Sequence, residues 1–212
     1  MGIPVKVILR QPLFMRVIGG KYKRRELLKL PARMRSLRPT YDRIREDIFN
    51  IISGSVSGAR FLDLYAGTGC VGIEAISRGA SAVTFVDSHP MCAQIIRRNC
   101  ERLGIPDSAV RIIQKDVFNF LESVDGEKYD IIFIDPPYAG GLFDKTLDLL
   151  GAGEYLSPDG IIIGQNDRKI EGERRGRIAV KRQLKCGRTF ISFWKKTAKG
   201  EDDEAGGVSR EF

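Results

Sequence analysis

Residues 62 to 72 read Leu62-Asp63-Leu64-Tyr65-Ala66-Gly67-Thr68-Gly69-Cys70-Val71-Gly72. The apolar run that ends at Leu64 predicts a buried strand, and the segment from Cys70 to Arg78 predicts a helix. The glycines between and within these segments have G-x-G-x-x-G spacing, which is typical of the first strand-loop-helix unit of nucleotide-binding α/β folds. We therefore expect residues 60–78 to form the central unit of an α/β domain.

Strand-like and helix-like segments alternate after this unit. Further strands are predicted at residues 82–87, 110–114, 129–135 and 160–165, with helices at 90–103, 117–122 and 142–150 between them. Residues 177–184 and 189–195 predict an antiparallel hairpin. The pattern predicts an α/β fold with a doubly wound, mostly parallel, seven-stranded Rossmann-like sheet and an antiparallel terminal hairpin.

Four segments are expected along the chain. Residues 1–14 form an irregular leader, residues 15–39 a small basic N-terminal β-hairpin extension, residues 40–196 the α/β domain, and residues 197–212 a charged, disordered tail. Thr40 is expected to cap the first helix of the domain. No apolar run reaches the roughly 18 residues that a membrane helix needs, and no secretory signal is recognisable. We expect a cytoplasmic, monomeric protein without a membrane contact.

The net charge of +8 is unevenly distributed. Residues 1–45 hold 13 Lys and Arg against 2 Asp and Glu, residues 46–166 hold 9 against 17, and residues 167–212 hold 13 against 8. An acidic body with basic ends is typical of proteins that hold a polyanion such as a nucleic acid. Basic tails can also serve solubility alone, but here the charges alternate with glycine and apolar residues, as in an ordered hairpin. The expected phosphate contacts are Arg16, Lys21, Lys23, Arg24 and Arg25.

The cysteines and the single histidine give no sign of a metal site. Cys70, Cys92, Cys100 and Cys186 lack the CxxC or CxxH spacing of zinc sites. His89 lies where the helix at residues 90–103 is predicted to begin, so a catalytic role is the less favoured interpretation. We expect neither a metal nor a disulfide framework.

Acidic residues follow three predicted strands at the edge where such folds bind ligands. Asp63 and Asp87 lie at the ends of strands, and Asp116 opens the helix after the third. An NAD-binding fold is the competing interpretation, with Asp87 on ribose hydroxyls. Asp63 would repel a pyrophosphate at the glycine loop, whereas it suits a cationic ligand, and S-adenosylmethionine carries an ammonium and a sulfonium. The expected cofactor-binding residues are Asp63, Ala66, Gly67, Gly69, Asp87, Ser88, Asp116 and Val117.

The tetrapeptide Asp135-Pro136-Pro137-Tyr138 follows the strand predicted at residues 129–135. Both prolines have fixed φ and no N–H, so they predict a rigid backbone whose carbonyls face a ligand. An acid, a carbonyl acceptor and an aromatic ring at a strand end suit a planar exocyclic amine that attacks an electrophile. The alternative is an ordinary turn after a strand. We predict that Asp135, Pro136, Pro137 and Tyr138 are the catalytic residues.

These motifs together resemble the class I S-adenosylmethionine-dependent methyltransferases that modify an amino group. More narrowly, Met-Arg-Val-Ile-Gly-Gly-Lys-Tyr-Lys at residues 15–23 and Leu-Arg-Pro-Thr-Tyr-Asp-Arg-Ile-Arg-Glu at residues 37–46 resemble the bacterial 16S rRNA guanine-N2 methyltransferase family. Gly-Arg-Thr-Phe-Ile-Ser-Phe at residues 187–193 is similar to the closing strand of that family. The resemblance extends over about residues 15–196.

The resemblance implies methyl transfer to the exocyclic N2 of a guanine in 16S rRNA, either in free rRNA or in a small ribosomal subunit or its assembly intermediate. It also implies that Arg38 and Thr40 close over the methionine carboxylate of the cofactor. The Asp-Pro-Pro-Tyr element is shared with adenine-N6 methyltransferases acting on DNA or RNA, which are the alternative. The choice between guanine and adenine depends on the resemblance of the N-terminal segments.

Overall fold

The computed structural model describes residues 15–30, 42–124, 126–138, 140–170 and 172–197. The predicted leader, Arg38, Thr40 and all but the first residue of the predicted tail lie outside these ranges. The described chain begins with a two-stranded antiparallel hairpin, β1 (Met15–Arg16) and β2 (Glu26–Leu27). Helices α1 (Asp42–Ile51) and α2 (Ser53–Val56) lead into the main sheet.

Strands and helices then alternate as the sequence predicts. They are β3 (Arg60–Leu64), α3 (Cys70–Ser77), β4 (Ala82–Asp87), α4 (Pro90–Leu103), β5 (Val110–Gln114), α5 (Val117–Ser123), β6 (Tyr129–Ile134), α6 (Leu142–Ala152), β7 (Leu156–Asn166), β8 (Arg174–Arg175), β9 (Ile178–Cys186) and β10 (Thr189–Lys196). A 3-10 turn, Asp107–Ala109, precedes β5.

The main sheet has the strand order β5-β4-β3-β6-β7-β10-β9-β8. Strands β3 to β7 pair in parallel, and β8 to β10 add antiparallel strands at one edge. The predicted doubly wound α/β fold is therefore confirmed. The two-residue β8 extends the expected seven strands to eight, and it is too short to leave a period-2 pattern in the sequence.

Two helix ends show how local chemistry sets the boundaries of α4. Pro90 occupies the first turn, where a missing N–H costs nothing, and the His89 ring accepts a hydrogen bond from Met91 N at 3.1 Å. Gly104 ends the helix in the left-handed region, with φ of 66°.

Strand β7 differs from its prediction, because it begins at Leu156, before the turn-like Pro158-Asp159-Gly160, and its pairing with β6 is irregular there.

Alternation along the strands divides the core into two layers. Phe61, Phe85, Phe133 and Ile163 belong to the layer that includes residues of α1, α3 and α4. Leu62, Ile132, Ile162 and Trp194 belong to the layer with α5 and α6. In residues 61–64 of β3, 131–134 of β6 and 161–164 of β7, odd-numbered residues therefore face α3 and even-numbered residues face α6. Tyr129, before the irregularity in β6, packs in the layer with α6.

Strand order reverses beside β3, whose neighbours are β4 on one side and β6 on the other. In open α/β sheets, ligands bind outside the carboxyl ends of the strands at such a switch point. The ends of β3, β4 and β6 therefore form the expected site. No helix in the described ranges is long and apolar enough to cross a membrane.

Candidate active site

The glycine loop between β3 and α3 is shaped by two kinds of constraint. Gly67 and Gly69 have φ of 55° and 74°, which side chains other than glycine rarely adopt. A Cβ at Gly69 would come 2.9 Å from Ile96 Cγ1, and a Cβ at Gly72 would clash with the Phe85 ring. The loop therefore turns sharply at its start and holds α3 close to the sheet. Ala66, the residue before Gly67, is buried and donates its N–H to Val86 O at 3.1 Å.

Asp63 lies beneath this loop and is only 1% exposed. Its Oδ2 accepts a hydrogen bond from Gly72 N at 2.9 Å, in the first turn of α3. Burial raises the pKa of the Asp63 carboxyl well above its usual range, and the nearby charges of Asp135 and Asp87 raise it further. Three acidic groups therefore converge here, and a cationic ligand would relieve their repulsion.

Asp87 joins the end of β4 to the glycine loop. Its Oδ2 accepts from Gly67 N at 2.9 Å, and its Oδ1 accepts from His89 N at 2.8 Å. Ser88, between Asp87 and His89 in the chain, is exposed. Each carboxylate oxygen can accept a second hydrogen bond, so Asp87 can hold the loop and still bind ligand hydroxyls.

Asp116 caps α5 and is exposed at the end of the β5 unit. Its Oδ1 accepts from Phe118 N at 2.9 Å and from Asn119 N at 3.2 Å. Val117, the other predicted contact, is 2% exposed and packs in the core with α6. The cap role of Asp116 is observed, and its contact with an adenine amino group stays a prediction.

The Asp-Pro-Pro-Tyr element follows β6 directly. Asp135 is half-buried, Pro136 is buried, and Pro137 and Tyr138 are exposed. Tyr138 is 46% exposed, and its hydroxyl lies 3.4 Å from Thr189 Oγ1 at the start of β10. The ring can therefore offer a face to a planar ligand while the core stays intact.

Strand register brings these elements to one level. Leu64 pairs with Val86 on β4 and with Ile134 on β6. Asp87 and Asp135 therefore follow the same row of the sheet on either side of β3, and Asp63 lies one row below. The structure brings together Asp63, Asp87, Asp135 and the glycine loop, as the sequence predicts.

Tyr65 belongs to this arrangement and was missed by the sequence analysis. It has φ of 60°, a conformation that costs free energy in a residue other than glycine. Its hydroxyl forms a 2.8 Å hydrogen bond with Thr146 Oγ1 of α6. Burial raises the pKa of Tyr65, and the charge of Asp116 raises it further. Only its position before the glycines could have drawn attention to it.

The N-terminal hairpin is attached along α3 by a buried carboxylate. Glu74 is fully buried and accepts from Ile18 N and Gly19 N, both at 2.7 Å. Arg78 Nε lies 2.7 Å from Glu74 Oε1, and the buried Arg45 Nε lies 3.8 Å from Glu74 Oε2. The hairpin is therefore an ordered part of the domain surface.

The tip of the hairpin lies away from the carboxyl ends of the strands. Lys21 N donates to Ser77 O at 2.7 Å, and Ser77 ends α3 on the amino-end side of the sheet. All five predicted phosphate contacts, Arg16, Lys21, Lys23, Arg24 and Arg25, are exposed. The structure therefore presents them to solvent, but it holds Lys21 and Arg25 at the ends of α3 and α4, on the side of the sheet opposite the edge where Asp135 and Tyr138 lie.

Asn99 of α4 connects the hairpin to the glycine loop. Its Oδ1 accepts from Leu28 N at 2.7 Å, and its Nδ2 donates to Thr68 O at 3.2 Å. Asn99 is fully buried, and nothing in the sequence near it signals these contacts.

Within the described ranges, no cluster of His, Cys, Asp and Glu could hold a metal ion.

Comparisons with known proteins agree with this geometry. The model of a family described as "Conserved hypothetical protein 95" matches residues 15–195. "Putative rRNA methyltransferase YlbH" of Bacillus subtilis (strain 168) is 35% identical over 185 residues, which cover 86% of this chain and 99% of that protein. "Ribosomal RNA small subunit methyltransferase D" of Escherichia coli (strain K12) is 30% identical over 196 residues, which cover 89% and 93%.

A solved structure gives the same result. The "Putative methyltransferase yhhF from Escherichia coli" superposes with a TM-score of 0.75 at 25% identity, covering 88% of this chain and 99% of that one. The resemblance of the N-terminal and Asp-Pro-Pro-Tyr motifs to small-subunit rRNA methyltransferases is confirmed at the level of the family. The chain belongs to the Conserved hypothetical protein 95 family, the methyltransferases related to ribosomal RNA small subunit methyltransferase D.

Proposed function

We propose that this protein transfers a methyl group from S-adenosylmethionine to the exocyclic N2 of a guanine in 16S rRNA. Membership of the family supports the broader activity, an S-adenosylmethionine-dependent methyltransferase of small-subunit rRNA. The observation that carries the proposal is the convergence of Asp63, Asp87 and Asp135 beside the glycine loop, next to the exposed ring of Tyr138.

The residues present fit S-adenosylmethionine better than a dinucleotide. Burial is the main cause of the raised Asp63 pKa, and the neighbouring charges of Asp135 and Asp87 raise it further. A ligand with positive charge would relieve this repulsion, whereas a pyrophosphate would add two negative charges. Asp63 and the glycine loop would hold the charged amino acid end, and Asp87 the ribose hydroxyls. The exposed Asp116 would lie against the adenine, with the backbone of the buried Val117 beside it. S-adenosylmethionine supplies a methyl group that is already activated on a sulfonium.

The protein's own task is then orientation of the amine. Asp135 and the Pro136 carbonyl accept hydrogen bonds from the N2 amino group, which favours the pyramidal nitrogen needed for attack and stabilises its developing positive charge. Tyr138 stacks on the target base, a contact worth about 1–3 kcal/mol. Asp135 need not be a strong base, because the nitrogen becomes acidic as the new bond forms.

The basic tip of the hairpin provides contacts with the RNA backbone away from the chemistry. Arg24, Arg25 and Arg102 line a cleft of about 430 Å³ between the hairpin and the end of α4. Arg25 also donates to Arg102 O at 3.1 Å. A five-residue strand spans roughly 17 Å, so an RNA that reaches both this cleft and Tyr138 must extend along the flank of the domain.

A labelling experiment tests the proposal. The protein is incubated with S-adenosylmethionine carrying a labelled methyl group and with unmodified 16S rRNA or small subunits, and the labelled nucleoside is identified after digestion. N2-methylguanosine is expected. Label in N6-methyladenosine would establish the alternative, an adenine-N6 methyltransferase, and no label in either RNA preparation would contradict both.

A further inference from the structure

Gln165 lies at the carboxyl end of β7, next to the Asp-Pro-Pro-Tyr element. Ile134, the last residue of β6, pairs with Gly164 of β7, so Asp135, the residue that follows β6, comes beside Gln165. Adjacent strands are about 4.8 Å apart. Both residues hold odd positions, and the odd positions of these strands face α3, as Asp63 does. The side chains of Asp63, Asp135 and Gln165 therefore share one face of the sheet.

The Gln165 side chain carries a buried acceptor without a partner. Gln165 is 6% exposed, and within the described ranges its Oε1 has no hydrogen-bond partner. On the same face, apolar side chains flank Gln165 along β7 and on β10, namely Ile163 two residues earlier on β7 and Ile191 opposite on β10. Buried polar groups are nearly always paired. An unpaired acceptor beside Asp135, the proposed acceptor for the target amine, therefore indicates that a ligand supplies the missing hydrogen-bond donor.

A second unpaired acceptor nearby does not share this position. Asn166 Oδ1 also lacks a partner within the described ranges, but Asn166 holds an even position and faces the α6 side. Its Nδ2 donates to Arg168 O at 2.8 Å, which fixes the amide to its own loop. Gln165 is therefore the residue that can act together with Asp135.

We propose that Gln165 determines the choice of base, by accepting a hydrogen bond from N1–H of the target guanine while Asp135 accepts from N2. The inference rests on the proposed guanine-N2 activity and deepens it. On its Watson–Crick edge, guanine presents two adjacent donors, N1–H and the N2 amino group, whereas adenine presents an acceptor at N1 beside its amino group. Two neighbouring acceptors therefore match guanine, and adenine would leave the Gln165 acceptor unpaired against another acceptor.

The decisive probe is a base that keeps the amine and lacks the N1 proton. Once the methylated position is located, RNA is ligated to carry 2,6-diaminopurine there, which has an N2 amino group but an unprotonated N1. The wild-type protein is expected to methylate it about ten- to a hundredfold more slowly than guanine, as measured by kcat/KM. Equal rates would overturn the inference, and this comparison needs no variant.

A variant then assigns the discrimination to Gln165. Gln165→Met keeps the length of the side chain and removes the acceptor. It is expected to slow transfer to guanine to the rate with 2,6-diaminopurine, so that the two substrates no longer differ. Gln94→Met, on an exposed position of α4, is the matched control and should keep the full difference. If Gln165→Met shifts only the melting temperature and keeps the discrimination, the amide is structural and the inference is wrong.

The outcomes separate this inference from the function on which it rests. A wild-type product of N6-methyladenosine would refute the guanine-N2 activity itself. A wild-type product of N2-methylguanosine with no loss on 2,6-diaminopurine would leave that activity intact and refute only the role of Gln165.

Discussion

Asp63 accepts a hydrogen bond from Gly72 N at 2.9 Å, which ties the end of the first parallel strand to the first turn of the helix above it. The same carboxyl is buried beside two other acids, and its pKa is raised mainly by that burial. The contact can be kept by a neutral side chain, whereas the attraction for a cation cannot. Structural and ligand-binding roles of Asp63 can therefore be separated.

Asp63→Asn is expected to weaken cofactor binding without weakening the fold. The amide oxygen can still accept from Gly72 N, and removal of a buried charge should leave the melting temperature of the ligand-free protein unchanged or higher. Affinity for S-adenosylmethionine should fall about tenfold or more, which calorimetry and the ligand-induced rise in melting temperature both measure. Asp159→Asn, at an exposed position of β7, is the control. Unchanged affinity for S-adenosylmethionine would show that Asp63 does not contribute to cofactor binding.

The pH dependence of stability gives a second measurement on Asp63. Because its folded-state pKa is raised, its stabilising contribution is complete below its ordinary pKa of 3.8 and is lost as pH rises through the folded-state value. The free energy of unfolding of the wild-type protein should therefore fall relative to that of Asp63→Asn as pH rises from about 3.8. Denaturant titrations of both proteins at several pH values give the difference. A difference that does not vary with pH would contradict the raised pKa.

Local chemistry explains how much of this architecture was predictable. The observed bounds of β4, α4 and β5 agree with those predicted, because local residues determine where each element begins and ends. Pro90 and Gly104 do so for α4. The acids at the strand ends were predictable for the same reason, since parallel strands end at a common edge.

Contacts between distant parts of the chain were not predictable. Glu74 reads as an ordinary helical residue, yet it is buried because Ile18 and Gly19, more than 50 positions away, donate to it. The position of the basic tip depends on that attachment, so the sequence could predict its charge but not its distance from Asp135. The unpaired Gln165 acceptor likewise depends on the register of β6 and β7, which no local pattern fixes.

Asp135→Asn is expected to block transfer and to spare cofactor binding. The variant keeps the volume at the end of β6 and can still accept one hydrogen bond, but it cannot stabilise the positive charge that develops on the amine. A loss of about 10²- to 10³-fold in kcat is expected in single-turnover assays. Calorimetry should show affinity for S-adenosylmethionine within a few-fold of the wild-type value. Full-rate transfer accompanied by lost cofactor affinity would show that Asp135 binds the cofactor and not the target amine.

Tyr138 allows stacking to be tested apart from its hydroxyl. Tyr138→Phe keeps the ring and removes only the long 3.4 Å interaction with Thr189, so it should retain nearly full kcat/KM. Tyr138→Ala should lose roughly ten- to a hundredfold, because stacking is worth about 1–3 kcal/mol. Tyr138 is 46% exposed, so both variants should keep the wild-type melting temperature within a few degrees. Equal activity of the two variants would exclude a stacking role.

The hairpin tip is tested by charge removal and salt. Arg24→Gln combined with Arg25→Gln removes two exposed charges that line the cleft at the end of α4. RNA affinity should fall, and the slope of log affinity against log salt concentration should decrease by about 0.7–0.9 for each phosphate that the variant no longer neutralises. Lys181→Gln combined with Arg182→Gln, two exposed charges on β9, is the matched control.

Because the tip lies on the side of the sheet opposite Asp135, the loss should appear in RNA binding and KM, while single-turnover kcat at saturating RNA is kept. An equal loss in the control pair would show that only net charge matters, and an unchanged slope in the tip variant would place the RNA elsewhere.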